Sequence, residues 1–307
     1  MKPVNEVISE FLSYQDVNAL SRNEYKCVVN YFTRWVVMNG LDFWQLKRSD
    51  ILRYKSDMLK KRMSVYTIGL YLTVVRKLFE FLSLEGYYDD NIALGVKSPK
   101  KDTEYRKGYL STDQVKELLG KINRESIVGK RDYAIISLMV RTGVRRVEVC
   151  RMKVGDITSG EHTLISLQRK GKVDKSCRIG VTDKVLDAIH DYLVCRGEMT
   201  EDSPLFVTHK NGYASQGISD FMISKMVKRY LRVIGLDDKC YTCHSLRHTA
   251  AILSLKAGAS IYDVQQMLGH TSIETTRIYL RAIDAEKRMD NAAIRMKSIR
   301  RNQFLTR

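Results

Sequence analysis

Apolar residues in the first third of the chain recur at intervals of three and four. The clearest run is Ile68, Leu72, Val75, Phe79 and Leu82. That spacing puts all five side chains on one face of a helix, so the pattern predicts a helix from Ser64 to Glu85, with Gly86 as its stop. The same reading predicts helices from about Val4 to Tyr14, from Asn23 to Met38, and from Ser49 to Arg62. Ser49 is the expected N-cap of the third, with Asp50 in its first turn. No strand-like alternation interrupts these segments, so residues 1–96 read as an all-helical bundle. Residues 97–107, Lys-Ser-Pro-Lys-Lys-Asp-Thr-Glu-Tyr-Arg-Lys, are polar, aperiodic and basic. They read as a linker able to follow a phosphate backbone, with Lys100 and Lys101 as candidate contacts.

From residue 108 onward the pattern changes. Helices are predicted from Ser111 to Ile122, Lys130 to Arg141, Thr182 to Cys195, Ile218 to Ile234, Ser245 to Ala257, Ile261 to Leu268, and Ser272 to Leu280. Two short strands, His162 to Gln168 and Lys175 to Val181, flank the basic turn Arg169-Lys170-Gly171-Lys172. A tail carrying Lys287, Arg288, Arg295, Lys297, Arg300 and Arg301 closes the chain. The expected fold class is mainly α with a small antiparallel β-sheet. A helical N-terminal domain (1–96) and a linker (97–107) would precede an α+β domain (108–307).

Charge narrows the partner. The 307 residues hold 52 Lys and Arg against 35 Asp and Glu, a formal net charge of +17. Such an excess suggests a polyanion, most simply nucleic acid. A basic membrane-surface protein would share the charge but usually carries a strongly amphipathic basic helix or a lipid anchor, and neither is visible. Glu6 and Glu10 interrupt the N-terminal apolar positions, and the longest apolar run, Ala134 to Val140, is far too short for a bilayer. A cytoplasmic protein with its six cysteines reduced is expected.

Four segments of the second domain carry candidate chemistry. They are Thr142-Gly143-Val144-Arg145-Arg146-Val147-Glu148, the turn at 169–172, His244-Ser245-Leu246-Arg247-His248, and Leu268-Gly269-His270 followed nine residues later by Tyr279. In this order and spacing they resemble the tyrosine recombinases, the phage-integrase and Xer-type enzymes. Each motif alone is weak, but the ordered set is specific. The resemblance covers residues 109 to 285 by motif and the helical front region by layout.

The resemblance implies a site-specific DNA recombinase that forms a 3′-phosphotyrosine link and exchanges strands through a Holliday junction. Attack on a phosphodiester builds negative charge on its non-bridging oxygens, and arginines answer it with bidentate, permanently charged hydrogen bonds. By resemblance these are Arg145 and Arg247, with Glu148 orienting the first. The neighbouring Arg146 competes for that place, and the three-residue step from Arg145 to Glu148 favours Arg145. Tyr279 would be the nucleophile, His244 its base, and His270 a donor to the transition-state phosphate. Lys170 would protonate the leaving 5′ oxygen, although Lys172 and Lys175 lie close enough to compete. Nearby arginines are expected to favour the Tyr279 phenolate. Arg169 and Lys172 are further candidate DNA contacts, and His248 reads as structural.

Bond energy is kept in the phosphotyrosyl link and arginines supply the positive charge, so no metal or nucleotide cofactor is expected. The implied partner is duplex DNA with a specific site, bound by a homo-tetramer with a dimer per site, and an accessory protein is a further candidate. The two domains would form a C-shaped clamp, and the tail beyond Asp284 would pack on a neighbouring protomer. No room for an additional N-terminal arm-binding domain is visible.

Other readings exist. Cys240-Tyr241-Thr242-Cys243-His244 spells a c-type haem attachment site, but His244 already belongs to H-x-x-R. Ala257 to Tyr279 has the look of a helix-turn-helix, which would make the protein a non-catalytic regulator. A type IB topoisomerase-like enzyme would share the tyrosine chemistry.

Overall fold

The structure, a computed structural model, describes residues 2–100, 108–158, 160, 163–169, 174–209 and 216–304, with side chains as far as Arg288 and at Asn291. The chain divides into two compact units, residues 1–104 and 105–307.

The first unit holds α1 (Val4–Tyr14), α2 (Ala19–Met38), α3 (Arg48–Lys60) and α4 (Val65–Leu84). Ser64 caps α4 by accepting from Thr67 N, and all five residues of the apolar run are fully buried or nearly so. The third helix corrects an expectation. Ser49 lies inside α3, whose N-cap is Lys47, and Asp50 accepts from the Lys47 N–H at 2.8 Å. A carboxylate reaching back from the third helical position satisfies the terminal donor as well as a capping serine would. Helix α2 starts four residues before the expected Asn23, capped by Asn18 accepting from Ser21 N. Aromatic rings fill the centre. Phe32 meets Tyr54 edge-on at 5.0 Å and Phe79 at 6.1 Å, contacts worth about 0.5–1.5 kcal/mol each beyond area burial.

The second unit contains α5 (Thr112–Gly120), α6 (Ile127–Thr142), α7 (Arg146–Cys150), β1 (Ile157–Thr158), β2 (Leu164–Leu167), β3 (Cys177–Gly180), α8 (Asp183–Arg196), α9 (Asp220–Val233), α10 (Cys243–Lys256), α11 (Ile261–Leu268) and α12 (Ile273–Phe304). The three strands form an antiparallel sheet in the order β1-β2-β3, with Ile165 opposite both Ile157 and Ile179. The expected strand start at His162 falls outside the described residues. Short α7 and two-residue β1 escaped the periodicity reading because neither is long enough to show a repeat.

Helix α6 is buried on all sides, as its apolar run from Ala134 to Val140 requires, and packs against α8 and α10. It also buries Arg131 and Asp132. Asp132 is 0% exposed and accepts from Arg131 on its own helix and from Arg229 and Tyr230 on α9. A buried carboxylate this well paired ties α9 to the central helix. A smaller apolar cluster joins Ala251 and Ile252 of α10, Val264 and Leu268 of α11, and Tyr279, Ala282 and Ile283 of α12. Helix α12 does not stop near Leu280 as expected but continues to Phe304. Glu286 holds it in place, accepting from Tyr109 and Lys256 at 2.6 Å each.

Candidate active site

Gly143 sets the first corner. It ends α6 with φ +67°, and a Cβ there would lie 2.6 Å from Leu268 Cδ2. Both the left-handed backbone and the close helix approach call for glycine. The chain then turns so that Arg145 precedes α7. Its backbone N donates to Glu148 Oε2 at 2.8 Å and its Nη1 to Oε1 at 2.9 Å. Glu148 is 1% exposed. Its Oε2 also accepts from Arg169 Nη1 at 3.3 Å, so one buried carboxylate orients two guanidiniums and the cluster stays positive. Arg146 pairs instead with Asp220 on α9, at 3.5 Å.

Arg247, on the second turn of α10, is 5% exposed. It donates through Nη1 to the Gly143 carbonyl at 2.6 Å and through Nη2 to the Leu268 carbonyl at 2.7 Å. One cation thus ties the C-terminal ends of α6 and α11, where helix carbonyls favour positive charge. Burial pushes its pKa down to about 10, with Arg145 adding to the effect, and it remains cationic at neutral pH. His244 stands exposed in the first turn of α10, lining a notch with Arg145, Arg146 and Arg247.

Gly269 ends α11 with φ +63°, and a Cβ there would come within 2.8 Å of the Arg169 guanidinium. Here glycine makes room for a cation. Arg169 also donates to the Met267 carbonyl and to Cys177 Sγ, both at 3.1 Å, so its hydrogen bonds run inward. An open cleft of about 510 Å³ is lined by Arg145, Arg169, Ser176, Cys177, Gly269 and His270. His270 Nδ1 lies 2.9 Å from Thr276 Oγ1. Burial, then Arg247, Arg145 and Arg169, push the His270 pKa down to about 4, so its ring is neutral at neutral pH.

Tyr279 is 2% exposed. Its ring lies nearly parallel to His270, with centroids 6.4 Å apart, and its hydroxyl is hydrogen-bonded to Arg247. One expectation changes here, and one further contact is found. Arg247 and Arg145 do pull its pKa down, as expected, but burial outweighs them and the net shift is upward. In addition, the imidazole nitrogen 3.1 Å from the hydroxyl is Nδ1 of His248. His248 reads as structural in the sequence, and its contact with the Tyr279 hydroxyl is compatible with that reading. The signal available was its place four residues after His244, one turn along the same helix face.

Of the lysines competing for the acid role, Lys175 is engaged by Asp156 at 2.7 and 2.5 Å. Lys170 and Lys172 fall outside the described residues, as does Lys101, whereas Lys100 is exposed. Cys243 is buried with Sγ 3.9 Å from Met139 Sδ, and burial pushes its pKa up to about 12, so it behaves as a core thiol. Among the described residues no three His, Cys, Asp or Glu side chains are grouped to hold a metal ion, and no helix is long and apolar enough to cross a membrane.

The chain is similar to known proteins. The sequence profile of the phage integrase family matches residues 108–286. Tyrosine recombinase XerA of Pyrococcus furiosus is 30% identical over 90% of this chain and 90% of its own length. Tyrosine recombinase XerC of Thermodesulfovibrio yellowstonii is 31% identical over 73% and 74% respectively. The crystal structure of XerH site-specific recombinase bound to palindromic difH substrate, a post-cleavage complex, superposes with a TM-score of 0.75 at 20% identity, covering 94% of this chain and 83% of that one, and shares the fold. By motif order, fold and sequence, the chain belongs to the phage integrase family, among the tyrosine recombinases of the Xer type.

Proposed function

We propose that the protein cuts and rejoins duplex DNA at a specific recombination site, with Tyr279 as nucleophile. One observation carries the residue assignment. Three segments far apart in sequence bring Arg145, Arg247, His270 and the Tyr279 hydroxyl to one cluster beside an open cleft. A scissile phosphate where that cleft adjoins the notch would meet Arg145, which lines both, and Arg247, which lines the notch, two guanidiniums already fixed in place. Arg145 is held by Glu148, and Arg247 by two helix-end carbonyls. Donors fixed before the reaction need no reorganisation as charge develops, which is where such sites gain most of their rate. Neutral His270 would add a hydrogen bond through its second nitrogen.

Tyr279 oxygen attacks phosphorus, the bond to the 5′ oxygen breaks, and a 3′-phosphotyrosyl link forms. A free 5′ hydroxyl from the same or a partner duplex then reverses the step. Lys170, which follows Arg169 in the sequence, is the proposed donor to the leaving oxygen. His244, at the exposed end of α10 beside the arginines, is proposed as the base that accepts the Tyr279 proton. The helical first unit, Lys100 and Lys101 of the linker, and Lys172 are proposed to hold DNA. A cytoplasmic homo-tetramer working through a Holliday junction, with the tail beyond about Asp284 docking on a neighbouring protomer, completes the reading.

The test is a suicide-substrate assay. Purified protein is mixed with nicked duplexes from the DNA flanking its own gene, and products are run on a denaturing gel. A covalent protein–DNA band that disappears in Tyr279→Phe is the expected result. Specific binding with no covalent band in the wild type would overturn the assignment in favour of a regulatory DNA-binding protein.

A further inference from the structure

Arg169 is the third guanidinium of the site, and none of the cleavage steps uses it. It stands two residues beyond the end of β2, and its side chain is 11% exposed. A cation withdrawn from water is costly unless its donors are satisfied. Those of Arg169 are met from three elements. Nε donates to Cys177 Sγ at the start of β3 at 3.1 Å, Nη1 to Glu148 Oε2 on α7 at 3.3 Å, and Nη2 to the Met267 carbonyl in the last turn of α11 at 3.1 Å. Gly269 leaves the room, since a Cβ there would lie 2.8 Å from Arg169 Cζ. A side chain that only gripped DNA would keep its charged head in the solvent.

These bonds close a ring. Arg145 is held by Glu148, Glu148 by Arg169, and Arg169 by the Met267 carbonyl. The neighbouring Leu268 carbonyl holds Arg247, and Arg247 holds the carbonyl of Gly143, two residues before Arg145. The two guanidiniums assigned to the phosphate are thus joined by two routes, one through Gly143 and one through Arg169. Glu148 alone would be a soft support, because α7 has five residues and so short a helix is marginal by itself. Arg169 ties its carboxylate to α11 and to the sheet.

We propose that Arg169 is a positioning residue for strand cleavage, which closes this ring and so fixes the spacing and tilt of Arg145 against Arg247 before DNA arrives. The proposal rests on those two arginines meeting the scissile phosphate and deepens that reading. Arg169 acts through Glu148 and α11 and makes no contact with DNA. Misplacing a catalytic group by about 1 Å costs roughly 10²-fold in rate. A cation committed to alignment therefore matters to the transition state while adding little to DNA affinity.

The experiment compares single-turnover cleavage of a nicked duplex by the wild type, Arg169→Gln, Arg169→Met, Glu148→Gln and the double variant Arg169→Gln/Glu148→Gln. Each Arg169 variant is expected to cleave roughly 10- to 10²-fold more slowly. The dissociation constant for uncleaved DNA should stay within about threefold, and its dependence on salt should keep the same slope, because no phosphate contact is lost. The double variant should be no more than about threefold slower than the slower single variant, since both act through one ring. With a methylphosphonate at the scissile position, which has no charge for the clamp to meet, the loss in Arg169→Gln should shrink to under about threefold.

Cleavage by both Arg169 variants within about threefold of wild type overturns the proposal. A salt slope lowered by about one makes Arg169 a phosphate contact, and losses that multiply in the double variant make it independent of Glu148. Either result overturns positioning through the ring. A loss that persists on the methylphosphonate does so too, and its closure by a bridging 5′ sulfur, whose departure needs no acid, assigns Arg169 to the leaving-group side. Nitrogen-15 NMR of the intact wild type covers the case in which the variants fail to fold. Rotation about the Arg169 Nε–Cζ bond must already be slow without DNA, and a guanidinium restrained only when DNA binds overturns the proposal. Absence of any wild-type covalent band, by contrast, removes Tyr279 as nucleophile and the phosphate site with it.

Discussion

Arg247 donates a 2.6 Å hydrogen bond to the carbonyl of Gly143, so the cation proposed to meet the phosphate is fixed by the residue that ends the central helix. The same guanidinium reaches the Leu268 carbonyl at the end of α11. Three motifs read separately in the sequence are thereby one mechanical unit.

Gly143→Ala disturbs that unit at its hinge. The new methyl would meet Leu268 Cδ2 at 2.6 Å, at a backbone angle of φ +67°. Left-handed strain alone costs about 1–3 kcal/mol, and displacement of Leu268 adds to it. A lower denaturation midpoint and slower covalent-complex formation are expected together. An unchanged midpoint in chemical unfolding would show that α6 and α11 can part freely.

Arg247→Lys keeps the charge but loses the fork. An ammonium cannot hold both helix-end carbonyls and also present a flat pair of donors to phosphate. Single-turnover cleavage is expected to fall by about 10²–10³-fold, with DNA affinity changed little. Equal losses in affinity and in cleavage rate would instead mean that Arg247 serves general DNA binding.

Glu148→Gln tests the shared carboxylate. Both oxygens accept from cationic or backbone donors, Oε1 from Arg145 Nη1 and Oε2 from Arg145 N and Arg169 Nη1. Whichever way a glutamine amide turns, its NH2 faces a donor. Such a mismatch in a buried site costs about 1–3 kcal/mol, and a misaimed Arg145 should slow cleavage by about 10²-fold. Wild-type cleavage by this variant would mean that Arg145 is positioned by the DNA and not by Glu148.

The DNA-free protein should lose stability in mild acid through His270. Its folded pKa of about 4 lies below the ordinary 6.5, so the unfolded chain takes up the proton first. The stabilising contribution is therefore complete above pH 6.5 and is lost as pH falls from there through 4. His209, also depressed by burial, acts in the same direction. Melting temperature against pH should fall more steeply across that window for the wild type than for His270→Gln. Parallel curves would show that His270 is as easily protonated in the folded protein as in the unfolded chain.

Much of this was legible in the chain before any coordinates. The run Ile68, Leu72, Val75, Phe79 and Leu82 fixed a helix face, and all five residues are in the core of the first unit. The predicted α1 and α11 match the structure at both ends. Periodicity is a local property, so it survives without knowledge of the partner. The spacing of Gly143, Arg145, Glu148, Arg247, Gly269, His270 and Tyr279 was likewise readable, because each segment must present a particular chemical group at a particular turn.

Other features depend on which distant segments meet. Arg145 and Arg146 are adjacent and chemically alike, and only the position of Asp220, over seventy residues on, draws one of them away. Lys175 competes for the acid role until Asp156 occupies it. Arg169 reads as a surface phosphate contact until Gly269 makes room for it beside Glu148. Tyr279 reads as an arginine-activated phenol until packing buries it and raises its pKa. His248 shows no partner in the sequence, and only α12 brings the Tyr279 hydroxyl to its Nδ1. The sequence by itself determined which chemical groups are present and on which helix turns they stand. The tertiary structure decided their ionisation and their partners, because desolvation and hydrogen bonding act through space between residues the chain order keeps far apart.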